Sequence, residues 1–107
     1  MHYIKGDVVE IEFPYTDLSS SKFRPALIIS NVLGVNYIFM QISSNVKKSN
    51  FRIHIENSDF IQGKLYLPSC AHIDILFTGE KTIINKKYGH INSNKLNQII
   101  NSLKSLL

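Results

Sequence analysis

Apolar and polar positions alternate with period 2 at the start of the chain. Val9, Ile11 and Phe13 interleave with Val8, Glu10 and Glu12, the pattern of a half-buried strand. Pro14 has no N–H to donate and ends that ladder. From Ala26 to Ile29 the chain is apolar without a break, as in a strand buried on both faces. A turn around Gly34 leads to a third apolar strand, Tyr37 to Ile42. Phe51, Ile53 and Ile55 then alternate with Arg52, His54 and Glu56, which predicts a fourth, amphipathic strand. Residues 57–63 read as a turn of helix or a loop. Leu65 to Phe77 reads as a long strand interrupted near Pro68, with Ala71, Ile73 and Ile75 on one face and Cys70, His72 and Asp74 on the other. Thr82 to Tyr88 is a further short strand, stopped by Gly89.

The pattern changes period only at the C-terminal end. Leu96, Ile99, Ile100, Leu103, Leu106 and Leu107 fall at helical spacing, and Ser93 is placed to cap such a helix. Several short strands followed by one amphipathic helix predict a mainly β fold: a small, strongly curved antiparallel sheet or barrel with the helix packed on it. Residues 1–107 read as a single domain, without repeat, linker or low-complexity tract.

Composition narrows the partners. Lys and Arg outnumber Asp and Glu by 12 to 8, a net charge of +4, which favours an anionic partner without requiring one. Only Arg24 and Arg52 among the cations are arginines, and Arg makes bidentate phosphate contacts that Lys cannot. The single Cys70 excludes an internal disulfide framework and a four-Cys zinc site. The N-terminal MHYIKGDVV lacks the apolar core of a signal peptide, and no run reaches the ~20 apolar residues of a membrane span. A cytoplasmic protein is expected.

Candidate chemistry centres on the polar loop between the first two strands, Thr16 to Phe23. It contains Asp17, three consecutive serines and Lys22, and it leads into Arg24. Pro25 biases Arg24 toward extended backbone, so a cation stands where a polar loop enters a buried strand. No paired Cys or His at metal-ligand spacing is present, and no glycine-rich phosphate loop or nucleophile elbow. The group that assembles into a chemistry is Arg24, Ser43, His72 and Asp74. Cleavage of RNA without a metal ion needs a base for the 2′-OH, an acid for the leaving 5′-oxygen and a cation beside the phosphate. Asp74, His72 and Arg24 suit those roles in turn, and Ser43 can donate to a phosphate oxygen. His72 and Asp74, two apart on a strand, share a face. Each residue also has a plainer use. Arg24 can pair with Asp17 or Glu12, Ser43 can satisfy a loop amide, and His72 and Asp74 can be a solvent-facing pair. Lys47 and Lys48 can be solvated surface, and Phe51 can be core or can stack on a base.

The stretch GDVVEIEFPYTDLSSSKFRPALIISN resembles the start of the MazF/PemK family of toxin endoribonucleases, through its G-D-V opening, F-P-Y-T-D and R-P-A-L-I-I-S-N. Weaker likeness continues at ISSN (42–45), HIDILFT (72–78) and KKYGHI before the helix. The resemblance implies an SH3-like β-barrel with a C-terminal helix, working as a homodimer. It implies metal-independent, sequence-specific cleavage of single-stranded RNA without a cofactor, leaving a cyclic phosphate and a free 5′-hydroxyl. It also implies inhibition by a cognate antitoxin, with DNA reached only through the antitoxin complex. The family's key arginine falls on Arg24 and its threonine on Ser43. An arginine and an aspartate that some members use as acid and base fall on His72 and Asp74. RNA recognition is expected from the loops at 14–23 and 44–52, with Thr16, Asp17, Ser19, Ser21, Lys22, Ser44, Asn45, Lys47 and Phe51 touching the strand. The same barrel occurs in CcdB-type toxins that bind DNA gyrase, and a catalytically inactive binding module is a third reading. The R-P-A-L stretch and its loop favour the nuclease.

Overall fold

A computed structural model describes residues 2–13, 22–32, 35–44 and 51–107. Among the described residues the chain forms seven strands and one α-helix: β1 (Asp7–Phe13), β2 (Lys22–Val32), β3 (Asn36–Ser43), β4 (Arg52–Ile55), β5 (Phe60–Gly63), β6 (Ser69–Glu80), β7 (Ile84–Ile91) and α1 (Ser93–Leu106). One antiparallel sheet holds them in the order β4-β6-β3-β2-β1-β7-β5. Register shifts interrupt the β1–β7, β2–β3, β3–β6 and β5–β7 pairings. Such irregularities bend a strand and increase its twist, so the sheet curls into the half-barrel that the short strands predicted.

The curl leaves an apolar cluster on each face. Val8, Leu27, Met40, Ile42, Ile53, Ala71 and Ile73 belong to the first, against which Leu96, Ile100 and Leu103 of α1 pack. Val9, Ile11, Ala26, Ile28 and Phe39 belong to the second, together with Tyr3 and Tyr37. This division explains the unbroken run in β2: Leu27 and Ile29 serve one cluster and Ala26 and Ile28 the other. Val8, which the alternation placed with the polar set, is fully buried.

Several boundaries differ from the sequence reading, each for an identifiable reason. Residues 57–63 are not all turn or loop: Asn57–Asp59 make a single 3₁₀ turn, and Phe60–Gly63 form edge strand β5. The interruption at Pro68 is complete, because β6 starts at Ser69 and Leu65 to Pro68 lie outside it. Residues 69–73 are buried on both sides rather than alternating. Gly89 does not stop β7; it pairs with Gly63 and Val8. A Cβ at 89 would stand 2.1 Å from the Gln62 carbonyl oxygen, so glycine permits the strands to touch there. Asn92, not Ser93, caps α1, its Oδ1 accepting from Lys95 N at 2.7 Å. Ile99 is the fully buried anchor of the helix, whereas Leu106 and Leu107 are exposed. No described helix is long and apolar enough to cross a membrane.

Candidate functional site

Sheet register brings Arg24, Ser43 and His72 onto one face. Ser43 pairs with Cys70, which pairs with His54. Ala26 pairs with Gln41, and the same register carried two residues further sets Arg24 across from Ser43 on that face. A row Arg24–Ser43–Cys70–His54 therefore crosses β2, β3, β6 and β4. The next row holds Gln41, His72 and Arg52: Gln41 Nε2 lies 3.3 Å from His72 Nδ1, and Arg52 pairs with His72 in register. His72 lies diagonal to Ser43, ~7–8 Å between Cα atoms in such a pair.

A bulge in β6 sets the position of Asp74. The ladder passes from Ile42–Ala71 to Met40–Leu76, leaving His72, Ile73, Asp74 and Ile75 opposite Gln41 alone. The Ile73 amide leaves β3 and donates to the Phe51 carbonyl at 3.1 Å. Asp74 is thrown outward, exposed, and its carboxylate takes an ion pair from Arg52 at 2.5 Å. Arg52 also donates to the Phe51 carbonyl at 3.1 Å, so one guanidinium ties the start of β4 to the bulge. His72, by contrast, is buried at 5% exposure, which excludes the solvent-facing pair as a description of it.

At the end of the half-barrel, where β2 and β6 begin and β3 ends, a cavity of about 350 Å³ opens. Arg24, Pro25, Ser43 and Ser44 line it from the strand ends, and Leu65, Tyr66 and Tyr88 line it from the other side. Neither His72 nor Asp74 lines it. Arg24 and Ser43 thus meet at the cavity, while His72 and Asp74 meet Gln41 and Arg52 along the sheet. Thr16, Asp17, Ser19, Ser21, Asn45 and Lys47 lie outside the described residues; of Lys22 only the backbone, in β2, is described. Phe51 is 42% exposed and so is not core.

The sequence reading gave no site role to Gln41, Arg52, His54, Glu10 or Tyr88. The Tyr88 hydroxyl donates to Glu10 Oε2 at 2.5 Å, and Asn85 Nδ2 donates to Oε1 at 2.7 Å. The Tyr88 bond, and after it the Asn85 bond, hold the Glu10 carboxyl below its ordinary range. Burial, followed by the Glu10 carboxylate, pushes the Tyr88 phenol up to about 12. Burial also raises the Cys70 thiol, against the opposing charge of Arg52, so the sulfur behaves as a small core group. Among the described residues no cluster of three or more His, Cys, Asp or Glu could hold a metal ion.

The family model of the PemK-like, MazF-like toxins of type II toxin–antitoxin systems matches residues 4–107; the chain belongs to that family. Solved structures share its fold at low identity. A mycobacterial endoribonuclease in complex with its cognate antitoxin superposes with a TM-score of 0.78 at 17% identity, covering 97% of this chain and 93% of that one. The MazE–MazF structure from Deinococcus radiodurans gives 0.75 at 17% identity, covering 94% and 92%. A MazF toxin of Mycobacterium tuberculosis gives 0.73 at 14% identity, covering 92% and 93%. No curated protein sequence matches the chain.

Proposed function

We propose that this toxin is a sequence-specific endoribonuclease that cleaves single-stranded RNA without a metal ion, to 2′,3′-cyclic phosphate and 5′-hydroxyl ends. The observation that carries the reading is the polar row in which Arg24 and Ser43 share one sheet face, with His72 diagonal to Ser43. A guanidinium opposite a hydroxyl gives two donors for one phosphate, and such charge-assisted contacts matter most where negative charge builds in the transition state. Arg24 stabilises that charge and Ser43 donates to a non-bridging oxygen. The 2′-oxygen attacks the adjacent phosphorus and its proton passes to Asp74, whose carboxylate Arg52 orients. The bond from phosphorus to the 5′-oxygen breaks, and that oxygen takes a proton from water, because His72 is buried against Gln41 and does not line the cavity.

Family membership and the endoribonucleases that share its fold support the reading. So does the net charge of +4, which favours a polyanion. In the cell the protein is a cytoplasmic homodimer, silenced by a cognate antitoxin and touching DNA only through that antitoxin. The test runs two reactions: single-stranded RNA alone in EDTA, and the same RNA beside a DNA gyrase supercoiling reaction in magnesium buffer, since ATP-driven supercoiling needs the ion. RNA cut to cyclic-phosphate ends with supercoiling intact is expected. Intact RNA with poisoned gyrase would replace the nuclease by the gyrase-binding reading. Cleavage that appears only after a divalent ion is added would overturn the mechanism.

A further inference from the structure

The cavity beside Arg24 has walls that phosphate chemistry does not call for. Tyr66, 80% exposed, and Leu67, 64% exposed, stand at its rim. Tyr88 forms a second aromatic wall. Each tyrosine carries a lysine over its ring: Lys64 Nζ is 5.4 Å from the Tyr66 centroid and Lys86 Nζ is 5.3 Å from that of Tyr88. Large exposed apolar side chains around a concave site mark a binding surface. Aromatic rings interleaved with cations are the composition of a platform that stacks a base while its phosphates meet positive charge. Arg24 in the lining, with Lys64 and Lys86 against the rings of its two tyrosines, makes the site unlike a purely apolar groove.

We propose that this cavity seats one nucleobase of the RNA strand, adjacent to the phosphate held by Arg24, with Tyr66 and Tyr88 as its stacking walls. The assignment rests on the RNA-cleaving reading of the same site and names Tyr66 and Tyr88 for it. Tyr66 is the exposed wall, outside both core clusters. Tyr88 is the fixed one, since Glu10 takes its hydroxyl proton and Asn85 holds Glu10 in turn, and its ring packs against the first core cluster. A rigid wall facing an exposed one accepts a planar group in one orientation. Ser43 and Ser44, both lining the cavity, offer hydroxyls that can donate to or accept from a base edge.

The test separates binding from cleavage. Fluorescein-labelled 2′-O-methyl octamers of A, C and U, which have no free 2′-hydroxyl to attack, are titrated by anisotropy beside an abasic octamer carrying the same phosphates. Wild-type protein is expected to bind at least one base-bearing octamer roughly tenfold or more tighter than the abasic one. Tyr66→Ala, a substitution at an exposed position, should remove most of that difference and leave abasic binding unchanged. Tyr66→Phe should restore it. Tyr88→Phe keeps the ring but frees it from Glu10, and should lose part of it. Equal affinity of wild type for base-bearing and abasic octamers would overturn the proposal. So would base-bearing affinities within twofold of wild type in both Tyr66→Ala and Tyr88→Phe, the result expected if the cavity takes an apolar peptide side chain instead. Octamer binding with this pattern but no cleavage of ordinary RNA would leave the subsite standing and sink the nuclease reading.

Discussion

Gly63→Ala should be among the most damaging single-atom-scale changes in the protein, and its cost can be worked from the backbone. Gly63 has φ +76°, where an L side chain costs about 1–2 kcal/mol. A Cβ there would stand 2.0 Å from the Tyr88 carbonyl oxygen and 2.7 Å from Gly89 Cα. Both atoms are backbone of β7, so no rotamer change relieves the clash and β5 must move away. Opening the end of the β5–β7 ladder loses one or two hydrogen bonds, each worth about 0.5–1.5 kcal/mol net. The total is of order 3 kcal/mol, against a stability of about 5–15 kcal/mol for a domain of this size. The chain has no Trp, so urea unfolding followed by far-UV circular dichroism is the suitable assay. Gly79→Ala is the internal comparison. A Cβ there meets side chains alone, the Ile83 Cδ1 methyl at 2.6 Å and the edge of the Phe39 ring at 3.4 Å; the methyl can rotate away, and the loss should be about 1 kcal/mol. Because β5 leads into the Leu65–Tyr66 wall of the cavity, Gly63→Ala should also weaken oligonucleotide binding. A Gly63→Ala protein as stable as Gly79→Ala would refute the argument from backbone contact.

Two further outcomes follow from capping and titration. Asn92→Ala removes the side-chain acceptor for Lys95 N and should cost about 1 kcal/mol, while Ser93→Ala, outside the cap, should cost clearly less; urea midpoints measure both. Burial and Glu10 favour the neutral Tyr88 phenol, so the native state holds that proton more tightly than the unfolded chain, with a pKa of about 12 against 10.0. The resulting stability is fully present below pH 10 and is lost as pH rises toward 12. Thermal melts should show that decline in wild type and a shallower one in Tyr88→Phe.

The fold was legible where one pattern met one environment. The unbroken run at 26–29 announced burial on both faces, and two clusters receive it. The 3.6 period of α1 was equally plain, although its last two leucines overran the core. What could not be read were features decided by contacts across the sheet. Phe60–Gly63 carries no strand pattern of its own; it becomes a strand because Gly63 and Gly89 let two backbones touch. Ser93 is as good a cap as Asn92 by residue type, and chain geometry chose the residue one position earlier. At the site, the R-P motif and the serine ending β3 were readable, and the structure sets them on one face. The bulge that places His72 inside and Asp74 outside has no local signal, because it arises from the Phe51 carbonyl taking the Ile73 amide. Arg52 was noticed only as a rare guanidinium, and its partner Asp74 lies 22 residues away.

The central claim is that Arg24 stabilises charge on the phosphate undergoing cleavage, and the most direct measurement is the single-turnover cleavage rate of Arg24→Ala on single-stranded RNA in EDTA. Removing a donor aimed at developing charge lowers such rates by roughly 10²–10³-fold. The account predicts a loss of that size with an unchanged circular dichroism spectrum and urea midpoint. A variant that cuts RNA within threefold of the wild-type rate would contradict it.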